Sequence, residues 1–209
     1  MNQKSTVLSQ KQMATLLAML IALMPLSIDA YLPAIPNMAE SLGADIHRIE
    51  QSLSTFLLGV AAGQLVGGSL SDIKGRRVIA LSGLVVFIIA TFGLAAVQTG
   101  EQLLMLRMVQ AFGAGMTVVV VGAVVRDQYE GREAAQMFAL IGIILMIAPL
   151  IAPLAGAGLQ ALGGWRLIFV SLAVYAMVVW GLLLRFVSKP IKIEPLSAGF
   201  MRGVLMRYL

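Results

Sequence analysis

Six apolar runs, each long enough to cross a bilayer, restrict what this chain can fold into more than any other feature. They cover approximately residues 13–33, 49–70, 78–97, 103–125, 136–159 and 167–187. A helix rises about 1.5 Å per residue, so roughly 20 mostly apolar residues span the hydrocarbon layer. The chain is 59% hydrophobic and only 12% charged, against about 25% charged in an average soluble domain. Lipid is therefore the expected solvent. The expected fold is an all-α integral membrane domain over residues 13–187, with six transmembrane helices joined by short turns and a longer link near residues 34–48. A polar segment, residues 1–12, precedes it and lacks the apolar run of a signal peptide. A basic linker, residues 188–209, follows and stops short of a seventh helix.

Charge placement predicts orientation. Lys4, Lys11, Lys74, Arg76, Arg77, Arg126, Arg132, Arg185, Lys189, Lys192, Arg202 and Arg207 fall on one side of the six runs, and only Arg48 and Arg166 on the other. The positive-inside rule puts the first group in the cytoplasm. Both termini are then cytoplasmic. The net charge of +5 reads as topology, with no nucleic acid partner. Zero cysteines and a single histidine, His47, leave no disulfide and no metal site, and no cofactor is expected. Lys74 is followed by Gly75 and Arg76 where a phosphate-binding loop needs Ser or Thr. With no nucleophile and base in a recognisable pattern either, the chain does not read as an enzyme.

Polar residues inside the runs carry the functional signal. Arg107, Gln110, Ala114 and Thr117 recur at helical spacing and form one polar or small face of the fourth run. An aspartate or arginine at the centre of a membrane helix costs about 2.5 to 3.5 kcal/mol on insertion scales, so such residues face a bundle interior or a wet cavity. Asp29 and Arg107 are the two that need this explanation. Topology puts both in the outer half of the membrane. Two readings follow. Arg107 and Asp29 share a cavity, where the guanidinium keeps the carboxylate ionised until a proton or a cationic substrate competes. Alternatively Arg107 snorkels to the surface and Asp29 caps backbone bent near Pro33. Tyr31 joins the candidates as a neighbour of Asp29. Gly59, Gly63 and Gly67, and likewise Ala148, Ala152 and Gly156, follow a small-xxx-small spacing that reads as close helix packing. Pro149 and Pro153 remove backbone donors from the fifth run.

A weak internal repeat runs through the chain. Gly67, Leu70, Gly75 and Arg77 recur in order and spacing as Gly156, Leu159, Gly164 and Arg166, with Ala161 in place of Asp72. Topology sets the two copies on opposite sides, which is the pattern of two inverted three-helix repeats.

The stretch from Gly68 through Leu70, Asp72, Gly75, Arg76 and Arg77 resembles the signature loop of the major facilitator superfamily, between the second and third helices where that superfamily carries it. Ser27-Ile-Asp29-Ala-Tyr31-Leu-Pro33-Ala-Ile-Pro36 is similar to the opening motif of its bicyclomycin-resistance branch of drug:proton antiporters. Arg107-Met-Val-Gln110-Ala111-Phe-Gly113 is close to the superfamily's arginine motif, with Ala111 at a usual glycine. Gly142, Pro149, Pro153 and Gly156 look like a relaxed antiporter motif, with Ala148, Ala152 and Pro153 standing where glycines are usual. The resemblance implies the N-terminal half of a twelve-helix transporter. It implies a loop that latches the outward-facing state, with Arg76 reaching an acid that Asp127 matches. It further implies proton-coupled export of a small amphipathic drug or cation, with Asp29, Tyr31, Arg107 and Gln110 handling proton and substrate. The remaining partner would be a second six-helix half, or a second copy of the chain. A proton-coupled uptake permease and an inactive membrane remnant are the competing readings.

Overall fold

The structure, a computed structural model, describes residues 10–186. Lys4, the Lys11 side chain, Lys189, Lys192, Arg202, Arg207 and the expected linker lie outside the described residues. Seven helices follow in order: α1 (Gln10–Asp29), α2 (Ile35–Leu42), α3 (Ile46–Lys74), α4 (Arg76–Ala95), α5 (Gly100–Gln128), α6 (Gly131–Gly163) and α7 (Trp165–Phe186). Six spans among them are long and apolar enough to cross a membrane.

The first span differs from the expectation. The region around residues 34–48 is not an open link, because a 3-10 turn, Leu32–Ala34, passes directly into α2. Pro33 and Pro36 each sit in the first turn of a helical segment. There the missing N–H has no intrahelical partner to lose. Gly43 ends α2 in a left-handed conformation at φ 58°, which glycine adopts at no steric penalty. Asp45 then caps α3, accepting from the His47 backbone N–H at 2.7 Å. Trp165 fixes α2 from the other side: its indole Nε1–H donates to Ser41 Oγ at 2.8 Å, and its ring meets Phe169 edge-on.

The signature stretch is not a loop. Residues up to Lys74 complete α3, Arg76 begins α4, and only Gly75 lies between. Its φ of 92° lies in the left-handed region, where a side chain is strained. Gly164 joins α6 to α7 in the same way at φ 75°. The inverted repeat is thus visible as two equivalent one-residue bends at opposite ends of the bundle.

α5 is the central helix, with most residues from Gln110 to Val125 buried. Its neighbours approach so closely that glycines are required. A Cβ on Gly59 would lie 2.5 Å from the Met108 carbonyl oxygen, one on Gly67 2.7 Å from Met116 Cα, and one on Gly63 would overlap the Phe112 carbonyl. On the other flank Gly113 faces Gly83 and Phe87 of α4 equally tightly. Lipid gives helices no hydrophobic drive to associate, so such backbone contact carries the packing. α6 is the least buried span.

Two apolar clusters fill the bundle. One gathers Leu23, Phe56, Phe87 and Ala111, and the other Ala30, Tyr31, Leu94 and Leu103. Along α1, α4 and α5 the chain passes from one to the other through Ser27, Thr91, Arg107 and Gln110, all fully buried. A polar layer therefore divides the core.

Candidate functional site

That layer is organised by Arg107, whose side chain is completely inaccessible to solvent. Its Nη1 donates to the Ser27 carbonyl at 2.9 Å and to Gln110 Oε1 at 2.8 Å. Gln110 Nε2 donates on to Thr91 Oγ1 at 2.9 Å, and Thr91 Oγ1 to the Phe87 carbonyl at 2.5 Å. Ser27 offers its carbonyl because α1 stops at Asp29, and the last four carbonyls of a helix lack intrahelical partners. A cation at that pole is also favoured by the helix dipole.

Two rings enclose the guanidinium. Arg107 Cζ lies 4.2 Å from the centre of the Tyr31 ring and 4.4 Å from that of Phe56. Tyr31 is held in turn by a hydrogen bond of 2.8 Å between its hydroxyl and Ser52 Oγ. Cation–π attraction to two desolvated rings offsets part of the burial penalty. Arg107 Nε and Nη2 nonetheless have no hydrogen-bond partner.

Asp29 does not supply one. It is half-buried at the last residue of α1, and no hydrogen bond or ion pair joins it to Arg107 or to any other described residue. The expected contact, in which Arg107 holds the Asp29 carboxylate, is absent: Nη1 goes to Ser27 and Gln110, and Nε and Nη2 are left without a partner. The alternative of a snorkelling Arg107 fails equally, since the side chain is buried. Two of the hollows among the described residues lie elsewhere in the bundle. One, about 490 Å³, lies among Ala14, Ala18, Met19, Leu140, Ile144 and Tyr175; the other, about 30 Å³, lies beside Leu16, Leu17, Arg76, Arg77, Val120 and Leu183. Neither is lined by Asp29, Tyr31, Arg107 or Gln110, so these hollows are not the cavity expected from sequence.

Gly156 reaches this region from α6. It rests against the Ala30 backbone so closely that a Cβ there would overlap the Ala30 carbonyl. Ala148 and Ala152 are buried on the same face, whereas Pro149 is exposed and Gly142 has open space around it. The proposed antiporter motif therefore splits: its small face packs toward the end of α1, and Gly142 and Pro149 do not.

The second cluster lies at the Gly75 bend. Arg76 forms ion pairs with Asp72 at 2.5 Å and with Asp127 of α5 at 3.0 Å, and donates to Ser71 Oγ at 2.5 Å. This joins α3, α4 and α5 through one guanidinium. Gly68 takes no close part, because a Cβ there would make only ordinary contact with Val119 at 3.6 Å. Arg77 turns away, donating to the Leu184 carbonyl of α7 at 3.1 Å. At the opposite end Arg48 pairs with Glu101, tying α3 to α5 a second time.

Sequence reasoning missed Ser27, Ser52, Phe56 and Thr91 as members of the buried layer. Thr91 and Ser52 stood out only as hydroxyls in apolar runs, and Ser27 acts through its backbone.

Comparison with known proteins gives the family. Residues 17–202 match the model of the Major Facilitator Superfamily. The chain belongs to that superfamily. Within it, the chain is 41% identical over 148 residues to a chloramphenicol resistance protein of Pseudomonas aeruginosa, covering 70% of this chain and 35% of that protein. It is 36% identical to the uncharacterized MFS-type transporter YdgK of Bacillus subtilis, covering 75% of this chain and 40% of YdgK. It is 33% identical to the multidrug resistance protein MdtL of Shewanella sp. (strain ANA-3), covering 79% and 42%. The chain thus spans well under half the length of these curated relatives. A crystal structure of the human organic anion transporter MFSD10 shares the fold at TM-score 0.68 and 18% identity, over 86% of this chain and 48% of that one. The superfamily consists of transporters, not enzymes, and the six membrane-capable helices fit a multi-pass membrane protein.

Proposed function

We propose that this chain forms one six-helix half, the N-terminal one, of a proton-coupled multidrug exporter of the bicyclomycin-resistance type. The observation that carries the reading is the presence of two incomplete groups at one helix break: Arg107 is buried with two guanidinium nitrogens unpartnered, and Asp29, two residues past the Ser27 carbonyl that Arg107 holds, has no partner among the described residues. Unmatched polar groups in a membrane interior are costly and mark proton or substrate pathways. In this reading Asp29 takes up and releases the proton. Arg107 supplies the donors that an ionised Asp29, or a polar substrate group, engages when the bundle rearranges. Tyr31 and Gln110 hold the guanidinium in place.

The relatives named for chloramphenicol and multidrug resistance support a small amphipathic drug as cargo. The C-terminal carbonyls around Asp29 favour a cationic one. The basic end, with Lys74, Arg76, Arg77, Arg126, Arg132 and Arg185, faces the cytoplasm in this reading, and the Asp72–Arg76–Asp127 cluster is the latch between the halves' conformations. A complete path needs a second six-helix half, or a second copy of this chain.

The test is retention of a fluorescent lipophilic cation by energised cells. Cells carrying the chain with a matching C-terminal half retain less dye than empty cells, and a protonophore or Asp29→Asn removes the difference. Retention equal to that of empty cells throughout rejects the export reading, and raised retention favours uptake.

A further inference from the structure

Two arginines at equivalent places in the two repeats belong to neither cluster. Arg77 is the second residue of α4 and Arg166 the second of α7, each two residues past its left-handed glycine. Each reaches the other helix. Arg77 Nη2 donates to the Leu184 carbonyl in the last described turn of α7, and Arg166 Nη2 donates to the Val97 carbonyl, two residues past the end of α4, at 3.0 Å.

We infer that Arg77 and Arg166 act as a reciprocal clamp that binds α4 and α7 into one antiparallel strut, held at both ends while other helices move. The physical reason lies in the helix poles. A cation at the N-terminal pole of its own helix is repelled, and a cation at a C-terminal pole is attracted. Both arginines sit at the unfavourable pole of their own helix. Antiparallel packing brings the favourable pole of the partner beside each of them, so the repulsion that either helix suffers alone becomes cross-helix attraction at both ends. Ala80, Leu84 and Phe87 share a core cluster with Ala176, Val179 and Leu183 between the two contacts.

The acceptors separate this device from the latch. Arg76 holds carboxylates, which protons or salt can disengage, whereas Arg77 and Arg166 hold main-chain carbonyls, which do not titrate. A neighbouring pair of arginines is therefore divided between a contact built to open and one built to stay. The inference does not depend on what the protein carries or in which direction.

Pulsed electron paramagnetic resonance tests it. The chain has no cysteine, so introduced cysteines are labelled uniquely. Exposed Val78 and Gly181 report the spacing of α4 and α7 at one end, and exposed Phe92 and Val174 report it toward the other. Arg77→Ala is expected to widen the 78/181 distance distribution roughly twofold and leave 92/174 unchanged, with Arg166→Ala doing the reverse. Widths stay the same at mildly acidic and mildly alkaline pH, and Arg76→Ala changes neither pair. Arg77→Lys, which keeps a charged donor without the fork, gives an intermediate width and serves if the alanine variant does not fold. Unchanged widths in both alanine variants overturn the clamp. So does equal widening at both ends in either variant, which would mean general loosening.

Discussion

The guanidinium of Arg107 lies 4.2 Å from the centre of the Tyr31 ring, and that contact joins the break in the first span to the central helix. The ring and the hydroxyl of Tyr31 contribute separately. Tyr31→Phe removes the hydrogen bond to Ser52 and keeps the ring, a loss of about 0.6 kcal/mol by the average for bonds between membrane helices. Tyr31→Ala removes the ring face as well and is expected to lose about 3 kcal/mol or more, by truncation of a buried aromatic and loss of the cation–π contact. Denaturation of the purified protein in mixed micelles gives both values. Equal losses would show that the ring face is irrelevant.

Asp29 makes the opposite prediction. Having no partner among the described residues, it can become Asn with a change in stability within about 0.5 kcal/mol, as for other substitutions away from packing and pairing. Unfolding curves of native and Asp29→Asn protein should superimpose, even where dye extrusion is lost. A large destabilisation would mean that Asp29 has a structural partner, and that lost transport says nothing about protons.

Glycines on α6 should separate into two classes. Gly156→Ala places a methyl against the Ala30 carbonyl, and overpacking of this kind costs about 1 to 3 kcal/mol. Gly142→Ala meets nothing, and replacing a helical glycine by alanine where there is room gains up to about 1 kcal/mol. Thermal denaturation in detergent orders the three proteins: Gly142→Ala, native, Gly156→Ala.

At the Gly75 bend the two acids differ in exposure. Asp72 has 64% of its side chain exposed, Asp127 30%, and the Arg76 they share only 12%. Exposed pairs contribute about 0 to 1 kcal/mol and are screened by salt, partly buried ones less so. Asp72→Asn should therefore lower stability slightly, with the effect gone at high salt, and Asp127→Asn more, with much of the effect persisting. Denaturation at low and high ionic strength checks the order, which fails if the two respond alike.

The six spans were legible because lipid imposes a length and a composition that few soluble helices meet. The correspondence of Gly75 with Gly164 was legible as a repeat of spacing, but the one-residue bend was not, since the stretch read as a loop. The reach of Arg76 to Asp127, implied by resemblance, is present in the structure. Helix α2 was not legible, since Pro33 and Pro36 terminate helices and also begin them, and spacing alone does not distinguish the two uses. The Arg107 contacts were hidden for a different reason. A backbone carbonyl has no letter in the sequence, and Ser27 exposes its carbonyl only because α1 ends two residues later. Pairing by charge therefore pointed to Asp29, when the partners present are a carbonyl, an amide and two rings. The contact between Gly83 and Gly113 escaped notice, although Gly113 stands in the arginine motif, because it runs between helices and leaves no periodic mark in either.

The bends at Gly75 and Gly164 have the same backbone form but are furnished differently. Beside Gly75 stands an arginine gripping two acids; in the matching place beside Gly164 stands Trp165, wedged under α2 with its indole bonded to Ser41. Water that reaches the first can take over its charges. Water that reaches the second gains almost nothing, because an aromatic wedge has only one donor to surrender. The fold is thus a door whose two edges were cut from one template, with a bolt fitted to one edge and a nail driven through the other.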